Sequence, residues 1–216
     1  LEHFARLADE SESSRAAYQS LVKVSEETTI REELRTWLSR TPIHGSTPDD
    51  DSDEEVVGDF VEEHLATTSK MHELALQHFT DIGQAEIEKI SARFTASLEG
   101  TREFLLPDGK VDRARAGLLF IESYRELPLL SWPRAMVDSV VEMEQSMLLF
   151  RTHHARMVER MIGRRVGTGG SSGVDYLDAT TKIRIFPDLW AVRTILLKRD
   201  ELPPVKNPEA YGFREQ

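Results

Sequence analysis

Two stretches of this sequence combine residue types and spacing that suit chemistry. The first is Gly167-Thr168-Gly169-Gly170-Ser171-Ser172-Gly173, four glycines and three hydroxyls in seven positions. Such a run is unsuited to a helix interior or a central strand, where glycine loses the most conformational freedom and packs nothing. It suits a loop whose backbone N–H groups and hydroxyls approach an anionic or polar ligand closely. The second is His154, within Phe150-Arg151-Thr152-His153-His154-Ala155-Arg156-Met157-Val158. It falls on a stripe of Met136, Val140, Met143, Met147, Phe150, His154, Met157 and Met161, which advances in alternating four- and three-residue steps. That spacing places the set on one helix face, expected here to be a buried apolar seam with His154 its one titratable member. His153, one step round, points elsewhere.

Each stretch has competing readings. A histidine in an apolar seam is most often a core residue donating to a carbonyl. The alternative is a single imidazole binding one face of a metal, which suits haem better than zinc. Zinc needs further ligands, and no His-x-x-x-His or Glu-x-x-His partner stands beside His154. The neighbouring methionines and Phe150 would line a porphyrin face or simply fill a core. The glycine run lacks the lysine of a phosphate-binding loop. Ser172 stands where a dinucleotide loop needs its last glycine, and a helix precedes the run where that loop needs a strand. Arg160, Arg164 and Arg165 supply cations for propionates or a carboxylate, yet a helix C-terminus commonly carries such residues anyway. No nucleophile elbow or catalytic carboxylate pair is evident.

The elements that must position these groups are helical. Alternating β-branched runs never persist, and apolar residues recur at helical spacing. A first helical region is expected from Ser14 to Arg40, broken near Glu27-Thr28-Thr29 and ended by Thr41-Pro42. Residues 44–55 read as an acidic linker whose Asp49–Glu55 run holds six acids. Without calcium-loop spacing or its central glycine, this run reads as a solvated lead-in to a helix N-terminus. Helices are then expected over Glu54–Phe79, from Ile82 to about Leu98 with a break marked by Gly100 and Pro107-Asp108-Gly109, and over Val111–Glu126. The last long helix is expected from Pro133 to Ile162, on the order of 45 Å at 1.5 Å per residue, with Ser131 as its N-cap and Gly163 just past its end.

The bulk numbers set outer bounds. A chain of 216 residues is long enough for one single helical domain, 1–216, with a proper core. A net charge of −11 argues against a general affinity for nucleic acid or anionic membrane surfaces. The absence of cysteine excludes disulfides, thiolate nucleophiles and iron–sulfur clusters, and it is compatible with a reducing cytoplasm. No apolar run reaches membrane-spanning length, and no signal peptide is visible.

Several segments together resemble tryptophan 2,3-dioxygenases. They are Trp37-Leu38-Ser39-Arg40-Thr41-Pro42, Leu119-Phe120-Ile121-Glu122-Ser123-Tyr124-Arg125-Glu126, the stretch around His154, the Gly-Thr-Gly-Gly-Ser-Ser-Gly run, Val174-Asp175-Tyr176-Leu177, and Phe186-Pro187-Asp188-Leu189-Trp190-Ala191-Val192-Arg193-Thr194. The resemblance covers most of the chain, as the C-terminal two-thirds of such a protein. It implies an all-α helical bundle with a haem-binding long helix, usually assembled as a homotetramer, a dimer of dimers. It also implies haem b held by His154 as axial ligand to the iron. Thr168 would contact the substrate ammonium, and Gly167, Gly169, Gly170, Ser171, Ser172 and Gly173 would support substrate and propionate. The implied reaction is cleavage of the indole C2–C3 bond of L-tryptophan with O₂ to N-formylkynurenine, in the kynurenine pathway. The implied location is cytoplasmic.

The chain departs from the family pattern in two ways. It begins at Leu1, and the family's His-Gln-x-x-Glu-Leu-Trp and Ser-Gly-Phe-Gln-Ser segments have no counterpart in it. Those segments supply the distal histidine and the carboxylate-clamping arginine, so no catalytic residue is expected within this chain. Phe150 and Thr152 stand where relatives usually place bulkier aromatic residues. Two alternatives stay open: a related haem-dependent aromatic amino acid hydroxylase, and a non-catalytic helical assembly module.

Overall fold

The computed structural model describes residues 11–79, 83–165 and 173–212. Among them the architecture is all-α, with one isolated bridge between Ile43 and Ser46. The helices are α1 (Glu12–Ser25), α2 (Ile30–Leu38), α3 (Asp53–Gln77), α4 (Gln84–Leu105), α5 (Arg113–Ser123), α6 (Ser131–Ile162), α7 (Val174–Thr180) and α8 (Pro187–Ala191). Short 3₁₀ turns follow α8 at 192–194, 199–201 and 208–211.

Local chemistry explains most of the boundaries. The expected break between α1 and α2 is present, and Thr29 restarts the helix through a reciprocal cap. Its hydroxyl accepts from the Glu32 N–H at 3.2 Å, and its own N–H donates to the Glu32 carboxylate at 2.7 Å. These bonds to the ionised form hold the Glu32 carboxyl below its ordinary pKa. Asp112 caps α5, accepting from the N–H groups of Ala114 and Arg115 at 3.1 Å each. Gly163 ends α6 with a positive φ of 64°, the left-handed conformation that favours glycine.

Two boundaries differ from expectation. The helix expected to stop near Leu98 runs on to Leu105, straight through Gly100. A glycine costs only about 1 kcal/mol in a helix interior, and the continuation buries Thr101 and Leu105. The chain turns at Asp108 and Gly109, both with positive φ, within the Pro107-Asp108-Gly109 stretch that the sequence also marks as a break. Ser131 is not an N-cap. It is already helical, and its hydroxyl donates to the Pro128 carbonyl at 2.7 Å.

The backbone divides into two compact units, one of Leu1–Leu34 with Val140–Phe186, the other of Arg35–Ser139 with Pro187–Gln216. The second unit holds the larger core, in which Phe60, Leu118, Leu119, Phe120, Ile121 and Leu189 are almost wholly buried. There the end of α2 lies so close to α5 that a Cβ on Gly117 would stand 2.4 Å from the Leu38 carbonyl oxygen. Arg35 joins three elements of this unit, meeting Asp112 and Asp188 at 2.6 Å each. The C-terminal turn is pinned by Tyr211, whose buried hydroxyl donates to the Pro42 carbonyl at 2.8 Å and accepts from the Gly45 N–H at 2.9 Å.

The first unit contains α1, α7 and α6 from Val140 onward. Glu144 is its buried polar anchor, 1% exposed, accepting from the N–H groups of Ile185 and Phe186, the latter at 3.1 Å. Beyond it, Arg151 reaches the carbonyls of Thr180 and Ile183 past the end of α7.

Candidate functional site

The side of α6 that packs is not the side the apolar pattern selects. Val137, Val141, Glu144 and Ala155 are buried, and Leu148 and Arg151 are half-buried. The predicted seam lies one residue, or about 100°, further round. It is not a buried seam: within the first unit Met143, Met147, Phe150, Met157 and Met161 are all exposed, Phe150 by 69% and Met161 by 75%. Met136, at its start, is exposed as well. An exposed apolar stripe is a surface available to a ligand or partner, whereas a packed seam is not.

His154 is half-buried on this stripe. Among the described residues neither of its ring nitrogens has a hydrogen-bond partner. The contrast with His64 is instructive. His64 is 1% exposed, its Nε2–H donates to the Ile195 carbonyl at 3.0 Å, and burial pushes its pKa down to about 4. His44 is buried among Phe60, Phe120 and Tyr124, with Nδ1 accepting from the Lys206 N–H at 3.1 Å. His64 is a core histidine of the ordinary kind, whereas His44 is buried with its Nε2 lacking a hydrogen-bond partner among the described residues. The carbonyl bond expected of His154 as a core residue is the one His64 makes. What touches the His154 ring is Phe150, one turn earlier, with ring planes 9° apart and centroids 5.9 Å apart.

Of the glycine-rich run, Gly167, Thr168, Gly169, Gly170, Ser171 and Ser172 lie outside the described residues. Gly173 is described, with φ 64° and ψ −123°, at the N-cap of α7. The segments flanking the run are joined by ion pairs. Arg164 meets Glu159 at 2.9 Å and Asp175 at 2.5 Å, and Arg156 pairs with Glu159 and Asp178. Arg164 therefore already has carboxylate partners, while Arg160 and Arg165 are exposed. Sequence reasoning missed these acids as partners because Asp175 and Asp178 are separated along the chain from Arg156 in α6 and from Arg164 just past its end, and only the fold pairs them.

The acidic run of 44–55 turns out to be partly structural. Asp50 accepts from the Thr47 N–H and hydroxyl at 2.6 and 3.0 Å, which lowers its pKa. Asp53, 8% exposed, pairs with Arg113 and accepts from the Ser46 hydroxyl at 3.0 Å. Among the described residues no group of three or more His, Asp or Glu side chains is placed to hold a metal ion. No helix among them is long and apolar enough to cross a membrane.

Fold and site together define an all-α protein that presents one unpartnered imidazole on the exposed apolar face of its longest helix. Comparison with known proteins places that description in a family. The family model for tryptophan 2,3-dioxygenase matches residues 6–196. Tryptophan 2,3-dioxygenase 2 of Ralstonia nicotianae is 43% identical, over 94% of this chain and 57% of its own length. A tryptophan 2,3-dioxygenase-like protein of Xanthomonas campestris pv. campestris is 47% identical, over 83% of this chain and 69% of its own. The tryptophan 2,3-dioxygenase of Sorangium cellulosum is 45% identical, over 84% of this chain and 46% of its own. The chain belongs to the tryptophan 2,3-dioxygenase family, a family of oxidoreductases. It spans between about half and two thirds of the length of these relatives.

Proposed function

We propose that this protein is a haem-dependent dioxygenase that cleaves the indole C2–C3 bond of L-tryptophan with O₂, giving N-formylkynurenine, the entry to the kynurenine pathway. The observation that carries the reading is His154, an imidazole without a hydrogen-bond partner among the described residues, on an exposed stripe of methionine and phenylalanine. The His154 ring nitrogens keep access to solvent and so to a ligand, and the exposed apolar side chains around them favour being covered. One imidazole is too small a donor set for zinc, which takes three or four protein ligands. It is the donor set by which a protein holds haem iron from one side, and the exposed methionine and phenylalanine side chains around it would suit the apolar face of a porphyrin. When bound, haem supplies the redox-active iron that the oxygen chemistry needs.

The chain's own share is to bind, orient and exclude. His154 holds the iron, and the methionine and phenylalanine side chains beside it exclude water from the haem face. Thr168 contacts the substrate ammonium, supported by its place in the Gly-Thr-Gly-Gly-Ser-Ser-Gly match. Gly167, Gly169, Gly170, Ser171, Ser172 and Gly173 offer backbone N–H groups and hydroxyls to substrate and propionate. The protein works as a homotetramer; further exposed apolar side chains of the first unit, Leu21, Val24, Ile30, Leu149 and Ile162, support assembly.

An absorption spectrum tests the reading. Haem added to the protein and reduced should give a sharp, shifted Soret band that moves again with carbon monoxide and is lost in His154→Ala. N-formylkynurenine formation from tryptophan is then the second assay. A His154→Ala protein with unchanged haem spectrum and turnover would overturn the assignment.

A further inference from the structure

The plane of a histidine ring on a helix surface is not set by the helix. Rotation about its Cβ–Cγ bond is a broad, roughly two-fold torsion, so no single rotamer well fixes the ring. Proteins usually fix a ligating imidazole by a hydrogen bond from its second nitrogen to a carbonyl or carboxylate. Among the described residues His154 has no such bond. It has instead the Phe150 ring, nearly parallel at 9° and 5.9 Å between centroids. That separation lies within the offset-stacking range of aromatic pairs, and the four-residue spacing makes the two side chains neighbours on the helix surface.

Phe150 is 69% exposed, so core packing is not what holds it there. A large apolar side chain so exposed contributes little to folding through burial. Its one ring contact among the described residues is the imidazole.

We propose that Phe150 is a positioning residue for His154: by stacking, it fixes the plane of the imidazole and shields one of its faces, in the role a hydrogen-bond acceptor usually fills. This inference rests on the reading of His154 as the iron ligand. With haem bound, His154 would hold the iron, and an imidazole fixed in plane by Phe150 would tune the metal's chemistry without Phe150 touching it.

The test uses the full chain and the substitutions Phe150→Leu, Phe150→Tyr and His154→Ala. Without haem, the His154 ring protons should carry an upfield ring-current displacement that is lost in Phe150→Leu and kept in Phe150→Tyr. With haem, the ferrous iron–histidine stretching band should shift or broaden in Phe150→Leu, and the g-value spread of the low-spin ferric protein should change. Phe150→Tyr should restore both signals. A merely structural role for Phe150 would move neither. If His154→Ala loses haem while Phe150→Leu keeps the wild-type proton shifts and stretching band, the positioning role is wrong and the ligand assignment stands. If His154→Ala retains the wild-type haem spectrum, the ligand assignment fails, and this inference fails with it.

Discussion

Asp53 and Arg113, the first residues of α3 and α5, grip each other through two parallel hydrogen bonds, Nε to Oδ2 at 2.8 Å and Nη2 to Oδ1 at 3.1 Å. The same guanidinium donates to the Thr41 carbonyl at 2.8 Å. One side-chain pair thus ties two helix starts to the chain leaving α2. Because both side chains are largely buried, removing one strands the other. Asp53→Ala should cost about 3 kcal/mol, the usual scale for breaking a buried pair. A lowered urea midpoint with unchanged slope checks this; an unchanged midpoint would mean the pair is replaceable by water.

Gly100 and Gly117 should respond oppositely to the same substitution. A Cβ at Gly100 meets nothing within 4 Å, so Gly100→Ala should stabilise the protein by roughly 0.5–1 kcal/mol through helix propensity. At Gly117 the added carbon would meet the Leu38 carbonyl oxygen at 2.4 Å, and backbone cannot step aside cheaply. Gly117→Ala should cost roughly 1–3 kcal/mol, the scale of core overpacking. Thermal melts of the two variants decide it, and equal shifts of the same sign would contradict this account.

Stability should fall on mild acidification because of buried histidine. Burial lowers the His64 pKa from 6.5 to about 4, so between these values the unfolded chain binds a proton that the folded one refuses. The stabilising contribution is therefore complete above pH 6.5 and is lost as pH falls toward 4, by about 2 kcal/mol at pH 5. His44, also lowered by burial, acts in the same direction. Urea midpoints at pH 7 and pH 5 should show the drop, with a shallower drop in His64→Gln. An equal pH dependence in the variant would remove His64 from the account.

Glu144 should matter more to the segment before α8 than to α6, which carries it. Its carboxylate takes the N–H groups of Ile185 and Phe186. Glu144→Ala leaves both without this acceptor and should cost roughly 1–3 kcal/mol. Hydrogen exchange at those two amides should accelerate before exchange within α6 does. Unchanged protection there would show that other groups satisfy them.

Family membership and helical class were legible in the sequence because their signals are local or contiguous. Thr29-x-x-Glu32 restarts a helix with its own side chains, Gly163 takes a conformation that other residues resist, and the Gly-Thr-Gly-Gly-Ser-Ser-Gly run needs no partner to be recognised. The face α6 turns inward was decided only by the tertiary structure. Two residue sets on that helix share the same four- and three-residue steps, one through Met143, Met147, Phe150, His154 and Met157, the other through Val141, Glu144, Leu148, Arg151 and Ala155. Hydropathy favours the first, yet the fold covers the second, because Glu144 and Arg151 find backbone partners at 180–186. Periodicity reports where apolar side chains lie around a helix axis. What stands opposite them depends on segments distant in the chain, and that left Phe150 and His154 stacked on an open face.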